Sequence, residues 1–292
     1  MKNSFLVTFV LLLWGCQPAD QETLVSASPE PEGSAKPASN TNQPATVAPA
    51  TEPATISADL EREKRMAVEI EDALLDGEPV YLNDASHEFL TIDTEPDASP
   101  KGAVILLHGR GFHPDWQDTI YPLRIGLATA GWRTLSVQMP VLKKNAKYND
   151  YVPLFPQSFP RIEASIEYLK KQGIDKIVLL AHSCGAHMAM SWIRERGDSS
   201  IQAYIGVGMG ATDYQQAMKA PFPLDQLKVP VLDVYGADDY PAVIRLAPSR
   251  IHMMKKAGNP LSAQKVVPGA NHYFIGKEDN LVEVVAEWLR AL

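Results

Sequence analysis

An apolar run at residues 176–180 stops at Ala181-His182-Ser183-Cys184-Gly185 and is followed at once by a helix-like run at 186–196. A strand that ends in small-x-Ser-x-small and restarts as a helix predicts a tight turn that pushes a serine hydroxyl out of a sheet. This junction constrains the fold strongly, because it needs a buried strand, a helix crossing behind it and small residues where the two crowd. Gly185 and Ala186 relieve the crowding, and Ala181 fills the first small position with one methyl group more than glycine. Ser183 is therefore the candidate nucleophile. A simpler reading of the same turn is a serine that only caps the helix, and the rest of the chain has to decide between the two.

The surrounding pattern supports a layered fold. Residues 102–107 form a continuous apolar run, as expected of a strand covered on both faces of a parallel sheet, and it delivers His108-Gly109-Arg110-Gly111 at its end. Helices are predicted at 119–129, 159–172 and 242–257, and further strands at 133–138, 202–207, 229–235 and 264–267. Leu281, Val285, Trp288, Leu289 and Leu292 recur at helical spacing and predict a closing helix. Upstream, Ser57 can cap a helix carrying Met66, Ile70, Ala73 and Leu74 and ending at Gly77. Two short strands, 80–82 and 88–92, then read as an antiparallel edge. Alternating strands and helices predict an α/β fold with a doubly wound, mostly parallel sheet flanked by helices. The segment 209–228 leaves room for one short helix, so little or no lid is expected.

The N-terminal part belongs to a different class. Residues 1–16 carry Lys2 and an apolar stretch at 5–14 that is too short to span a bilayer, which reads as a secretory signal. Residues 17–56 are Pro, Ala, Thr, Ser and Glu with almost no large apolar side chain, so burial there cannot offset the entropy of ordering. This reads as a disordered tether with a reach on the order of 35 Å as a flexible coil. The formal charge is −8 for the chain: Asp20, Glu22, Glu30, Glu32 and Glu52 against Lys36 leave −4 on the tether, and with Lys2 removed the rest carries −5. No basic face or basic-aromatic stripe emerges, which argues against nucleic acid as a partner. The one basic cluster, Lys143, Lys144 and Lys147, reads as a solvated loop.

Acyl transfer needs a base, an acid to orient it and donors for an oxyanion beside the nucleophile. Gly236-Ala237-Asp238-Asp239 follows a predicted strand, where open α/β sheets build their sites. Asp239 is the candidate acid and Asp238 the alternative. His272, on the turn after the next strand, is the candidate base, and the chain order Ser, Asp, His suits this architecture. The Cys184 N–H supplies one oxyanion donor and the loop after an earlier strand the other, through Arg110 or alternatively Gly111. Tyr148, Tyr151, Phe155 and Phe159 form either an apolar wall beside the site or a packed surface loop. The histidines at 108 and 113, and at 182 and 187, are five apart and do not share a helix face as a zinc pair would. Neither a metal nor a cofactor is expected.

From about Gly77 to Leu292 the chain resembles the α/β-hydrolase superfamily. Its elbow is similar to the Ala-His-Ser-x-Gly turn of some small bacterial lipases. Leu107-His108-Gly109-Arg110-Gly111-Phe112-His113-Pro114-Asp115-Trp116, with Gly131-Trp132-Arg133-Thr134-Leu135-Ser136, resembles an uncharacterised bacterial branch of that superfamily. The resemblance implies that Ser183 attacks an acyl carbonyl, His272 shuttles the proton, Asp239 orients His272, and water releases the acyl enzyme. It makes 57–292 the hydrolase domain, acting on a small-molecule or lipid-like ester, with thioesters and amides as other bonds the same residues cut. Leu13-Trp14-Gly15-Cys16 resembles a bacterial lipobox, which implies a lipid anchor at Cys16 and a place in the cell envelope, facing the periplasm or exterior. A non-catalytic binding or assembly protein on a hydrolase scaffold is the rival reading, since fold does not fix function.

Overall fold

The computed structural model describes residues 56–213 and 216–292. The signal, Cys16 and all but the last residue of the tether lie outside the described residues. The first element, α1 (Leu60–Ala73), is capped by Asp59, whose Oδ1 accepts the Arg62 N–H at 3.0 Å. Asp59 displaces Ser57 from the capping role because its carboxylate stands directly before the first turn, within reach of the free N–H groups there. The helix also stops at Ala73, short of Gly77. It lays Ala67 and Ile70 on Leu90 and Ile92 of the sheet.

Eight strands follow among the described residues: β1 (Glu78–Asn83), β2 (Glu88–Thr94), β3 (Ala103–Leu107), β4 (Arg133–Val137), β5 (Ile177–His182), β6 (Ala203–Val207), β7 (Val231–Gly236) and β8 (Ala263–Val267). They form one sheet in the order β1-β2-β4-β3-β5-β6-β7-β8. β2 is antiparallel to both β1 and β4, and every other pairing is parallel. All five residues of β3 and the first five of β5 are fully buried, which is why these stretches read as unbroken apolar runs. Their alternate side chains serve two cores. Ile105, Leu107 and Leu179 face the layer of α4 (Phe159–Lys171) and α5 (Cys184–Arg196). Val104, Leu106 and Leu180 face α2 (Ile120–Thr129) and α7 (Glu278–Leu289). Burial of each such side chain contributes about 1.5–3 kcal/mol, so the central strands are the firmest part of the scaffold.

Strand order reverses between β3 and β5, since β4 lies on one side of β3 while the chain continues on the other. The loops leaving β3 and β5 therefore diverge and open a crevice at the C-terminal ends of the parallel strands. Two local differences from the sequence expectations matter for the site. Residues 148–158, with Pro153 and Pro156 masking any helical period, form a short helix α3 (Tyr148–Tyr151) continued by a 3-10 helix (Val152–Ser158). Between β6 and β7 the described residues hold turns and no helix, in keeping with a fold that has little or no lid. α6 (Pro241–Ala257) joins β7 to β8.

Candidate active site

β5 delivers Ser183 in a backbone conformation that ordinary side chains avoid, with φ 54° and ψ −116°. The strain is held by its surroundings: the Ser183 N–H donates to Val207 O at 2.9 Å, and α5 begins at the next residue. A Cβ on Gly185 would stand 2.6 Å from the His108 carbonyl oxygen, so only glycine lets the helix cross the end of β3 this closely. The serine does not cap that helix. Its Oγ lies instead 2.8 Å from His272 Nε2, which removes the simpler reading of the turn.

His272, buried on the turn after β8, has its Nδ1 2.6 Å from Asp239 Oδ1. With Asp239 ionised, Nδ1 carries the proton and donates it to the carboxylate, leaving Nε2 as the acceptor for the Ser183 hydroxyl. Asp239 is buried and its Oδ1 also accepts the Tyr240 N–H at 2.6 Å, whereas Asp238 is exposed. Three residues separated by 33 and 56 positions in sequence thus meet beyond the C-terminal ends of β5, β7 and β8.

The loop after β3 runs beside this group. A Cβ on Gly109 would stand 3.3 Å from Ser183 Cβ, and Gly111 has φ +72°, so both glycines serve the close passage. His108 fixes the loop's exit: Nδ1 donates to Gly109 O at 2.8 Å and Nε2 accepts the Met139 N–H at 2.9 Å. Burial pushes His108 down to about 3, so the ring is neutral and this one-donor, one-acceptor pattern holds. The N–H groups of Arg110, Gly111 and Cys184 have no acceptor among the described residues. Burial pushes the Cys184 thiol up to about 12. It is therefore a protonated, buried side chain.

A family described as Protein of unknown function (DUF3530) matches residues 10–153 and 155–290. The chain belongs to the DUF3530 family. No curated protein matches it in sequence. Among solved structures, Est1E from Butyrivibrio proteoclasticus aligns at 17% identity over 74% of this chain and 98% of its own, with a TM-score of 0.56. An esterase of Pyrococcus furiosus aligns at 15% identity over 76% and 93%, with a TM-score of 0.58. A serine hydrolase without lid from Xanthomonas campestris aligns at 13% identity over 74% and 94%, with a TM-score of 0.53. The α/β-hydrolase fold of this DUF3530 chain is established by these likenesses.

Ser183 of the DUF3530 chain opens onto a cavity of about 360 Å³, within the range of small-ligand sites. Tyr148, Tyr151, Phe155 and Phe159 all belong to one core cluster, and Tyr148 and Tyr151 also line the cavity. Lys143, Lys144 and Lys147 are the exposed loop residues the sequence predicts, and all three also border the same cavity. Periodicity could not show this, because the loop is brought to Ser183 by strand order alone.

Sequence reasoning also missed Gly208, Tyr240 and Tyr273. Gly208, at φ +60°, passes so close that a Cβ would stand 2.9 Å from His272 Cε1. Tyr240 stacks on the His272 ring, with centroids 4.3 Å apart, and its hydroxyl meets that of Tyr273 at 2.9 Å. His182 donates through Nε2 to the His272 carbonyl at 3.0 Å. His-Tyr after the strand was the only available hint of this aromatic wall.

Proposed function

We propose that this chain is a serine hydrolase that cleaves a carboxylic-ester bond through an acyl-enzyme intermediate. The observation that carries the reading is the hydrogen-bonded series Ser183 Oγ, His272 Nε2, His272 Nδ1, Asp239 Oδ1, with separations of 2.8 and 2.6 Å. Ser183 Oγ attacks the acyl carbonyl carbon as His272 Nε2 takes its proton, and Asp239 stabilises the imidazolium. The carbonyl oxygen, now negative, accepts from the Cys184 N–H and from the N–H of Arg110 or Gly111. Loss of one such donor costs roughly 10²–10³ in turnover. Collapse expels the alcohol, which receives the proton from His272. Water then gives a proton to His272 as it attacks the acyl serine, and collapse releases the acid while His272 returns that proton to Ser183 Oγ.

The esterases among the structural neighbours support this class without fixing a substrate. Incubation with a fluorophosphonate probe should give a single adduct on Ser183, absent from Ser183→Ala, read by mass spectrometry of digested protein. A folded protein that takes no adduct would favour the binding-scaffold reading. We also propose that Cys16 carries the lipid anchor of an envelope protein, on the strength of the lipobox-like Leu13-Trp14-Gly15-Cys16. In that case Cys16→Ser moves the mature protein from the membrane fraction to the soluble one. An unchanged distribution would end that part of the proposal.

A further inference from the structure

The cavity beside Ser183 has a charged side that the hydrolytic chemistry does not use. Lys143, Lys144 and Lys147 border it within five residues of one another. All three are exposed, and none forms an ion pair among the described residues. No carboxylate lines the cavity among the described residues. An acid bonded to two lining residues is already engaged: Asp213 receives Arg110 Nη1 and Nη2 at 2.8 and 3.0 Å and also the Tyr148 N–H. Burial raises Asp213, but the Arg110 and Tyr148 hydrogen bonds outweigh it and hold the carboxyl below its usual range. Asp150 accepts the Lys147 backbone N–H at 2.8 Å and does not line the cavity. Behind the loop, a groove shared by Lys143 and Lys144 balances Arg62 and Arg65 against Asp59 and Glu69. Lys143 and Lys144 therefore leave unbalanced positive charge at both the groove and the cavity, and Lys147 adds to it on the Ser183 side, in a domain whose own net charge is negative.

The loop is also fixed in place. Val141 N–H donates to Glu63 Oε1 at 3.1 Å, the Leu142 N–H is held by Tyr151 Oη at 2.9 Å, and the Leu142 carbonyl accepts from Arg62 Nη1. Lysine ammonium groups are compact point charges on flexible stems, and a rigid loop that presents three of them to one cavity is a receptor for an anion.

We propose that this loop binds an anionic group of the substrate, so that the ester cleaved at Ser183 belongs to a molecule bearing a carboxylate or phosphate a few bonds from the scissile carbonyl. The inference rests on the hydrolase reading above and assigns its substrate class. Two probe pairs test it: p-nitrophenyl butyrate against p-nitrophenyl hemisuccinate, and butyrylglycerol against butyryl-glycerol 3-phosphate. At low ionic strength, kcat/KM should favour the anionic member of at least one pair by tenfold or more. The preferred pair then identifies the anion as carboxylate or phosphate. The ratio should fall toward one in the triple variant Lys143→Gln, Lys144→Gln, Lys147→Gln, and in the parent as salt is added.

A parent ratio near one in both pairs, or a preference that survives in the triple variant, would overturn the anion site while Ser183 labelling leaves the hydrolase reading intact. Absence of both labelling and turnover would instead remove the hydrolase reading. Calorimetry with butyryl-glycerol 3-phosphate and hemisuccinate then decides the loop on its own. Binding that weakens at least tenfold in the triple variant supports the site, and no binding of either overturns it.

Discussion

At the scale of single residues, the site depends on backbone that comes closer to the reacting groups than a side chain permits. Gly208 is the sharpest case, because its positive φ and the 2.9 Å approach to His272 Cε1 would oppose any Cβ there. Gly208→Ala should push the imidazole out of line with Ser183 and lower kcat about 10²-fold, in line with the cost of small misplacements near the chemistry. Circular dichroism should show the fold retained, so the loss is read in turnover of a nitrophenyl ester. Cys184 gives a second expectation. With its thiol pushed up to about 12 by burial, the thiolate is scarce at pH 8, and iodoacetamide should label Cys184 slowly in native protein and rapidly in urea. Ser183, Asp239 and His272 were legible in sequence because each lies on a turn that follows a strand. Gly208 was not, since Val207-Gly208-Met209-Gly210 reads as an ordinary turn until His272 is seen packed on it.

At the scale of elements, the unexpected contribution is that of α1. It was legible as an amphipathic helix on the outside of the core, but its function lies in one side chain. Arg62 donates through Nη2 to the Gly111 carbonyl at 2.8 Å and through Nη1 to the Leu142 carbonyl, clasping the loop after β3 to the lysine loop. Such contacts over 49 and 80 residues carry no local sequence signature. Hydrogen bonds from a charged donor are worth about 1.5–3 kcal/mol each. Arg62→Ala removes two of them and should therefore cost about 3 kcal/mol or more and free the lysine loop. Trypsin should then cut after Lys143 or Lys144 several-fold faster than in the parent, and Arg62→Lys, which lacks the two-pronged head, should restore only part of the protection. Equal cutting rates in all three proteins would show that α1 does not hold the loop. α6 has a comparable tie: Arg250 Nε meets Asp233 Oδ2 at 2.8 Å in the core, and its Nη1 holds the Met209 carbonyl beside Gly208. Arg250→Leu would strand Asp233 and cost about 3–5 kcal/mol, measured as a lower urea midpoint.

At the scale of the whole molecule, the alternation of apolar strands and helices was enough to predict the sheet, because strands covered on both faces must be apolar throughout. The pH response was not legible in that pattern, because it comes from histidines that the fold buries at different places: burial lowers His87 and His113, and three others more strongly. Burial pushes His108 and His182 down to about 3 and His187 down to about 4. In the unfolded chain each titrates near 6.5. Between those values the unfolded state binds protons that the native state refuses, so unfolding free energy must rise with pH across that window. The domain thus has its full stability above about pH 6.5 and loses it as pH falls toward 4, with each histidine adding up to about 1.4 kcal/mol per pH unit. Urea unfolding at pH 7.5, 6, 5 and 4.5 should show midpoints that fall progressively more steeply. His187 allows the cause to be isolated, since it ties Ala211 O through Nε2 at 2.9 Å and packs on Tyr148, Phe155 and Phe222, with no hydrogen bond to Ser183 or His272 among the described residues. His187→Gln should lower stability at pH 7.5 yet flatten the slope below pH 6 by about one histidine's share. A slope unchanged in His187→Gln would mean that buried imidazoles do not set the acid limit, and the carboxylates would have to be considered instead.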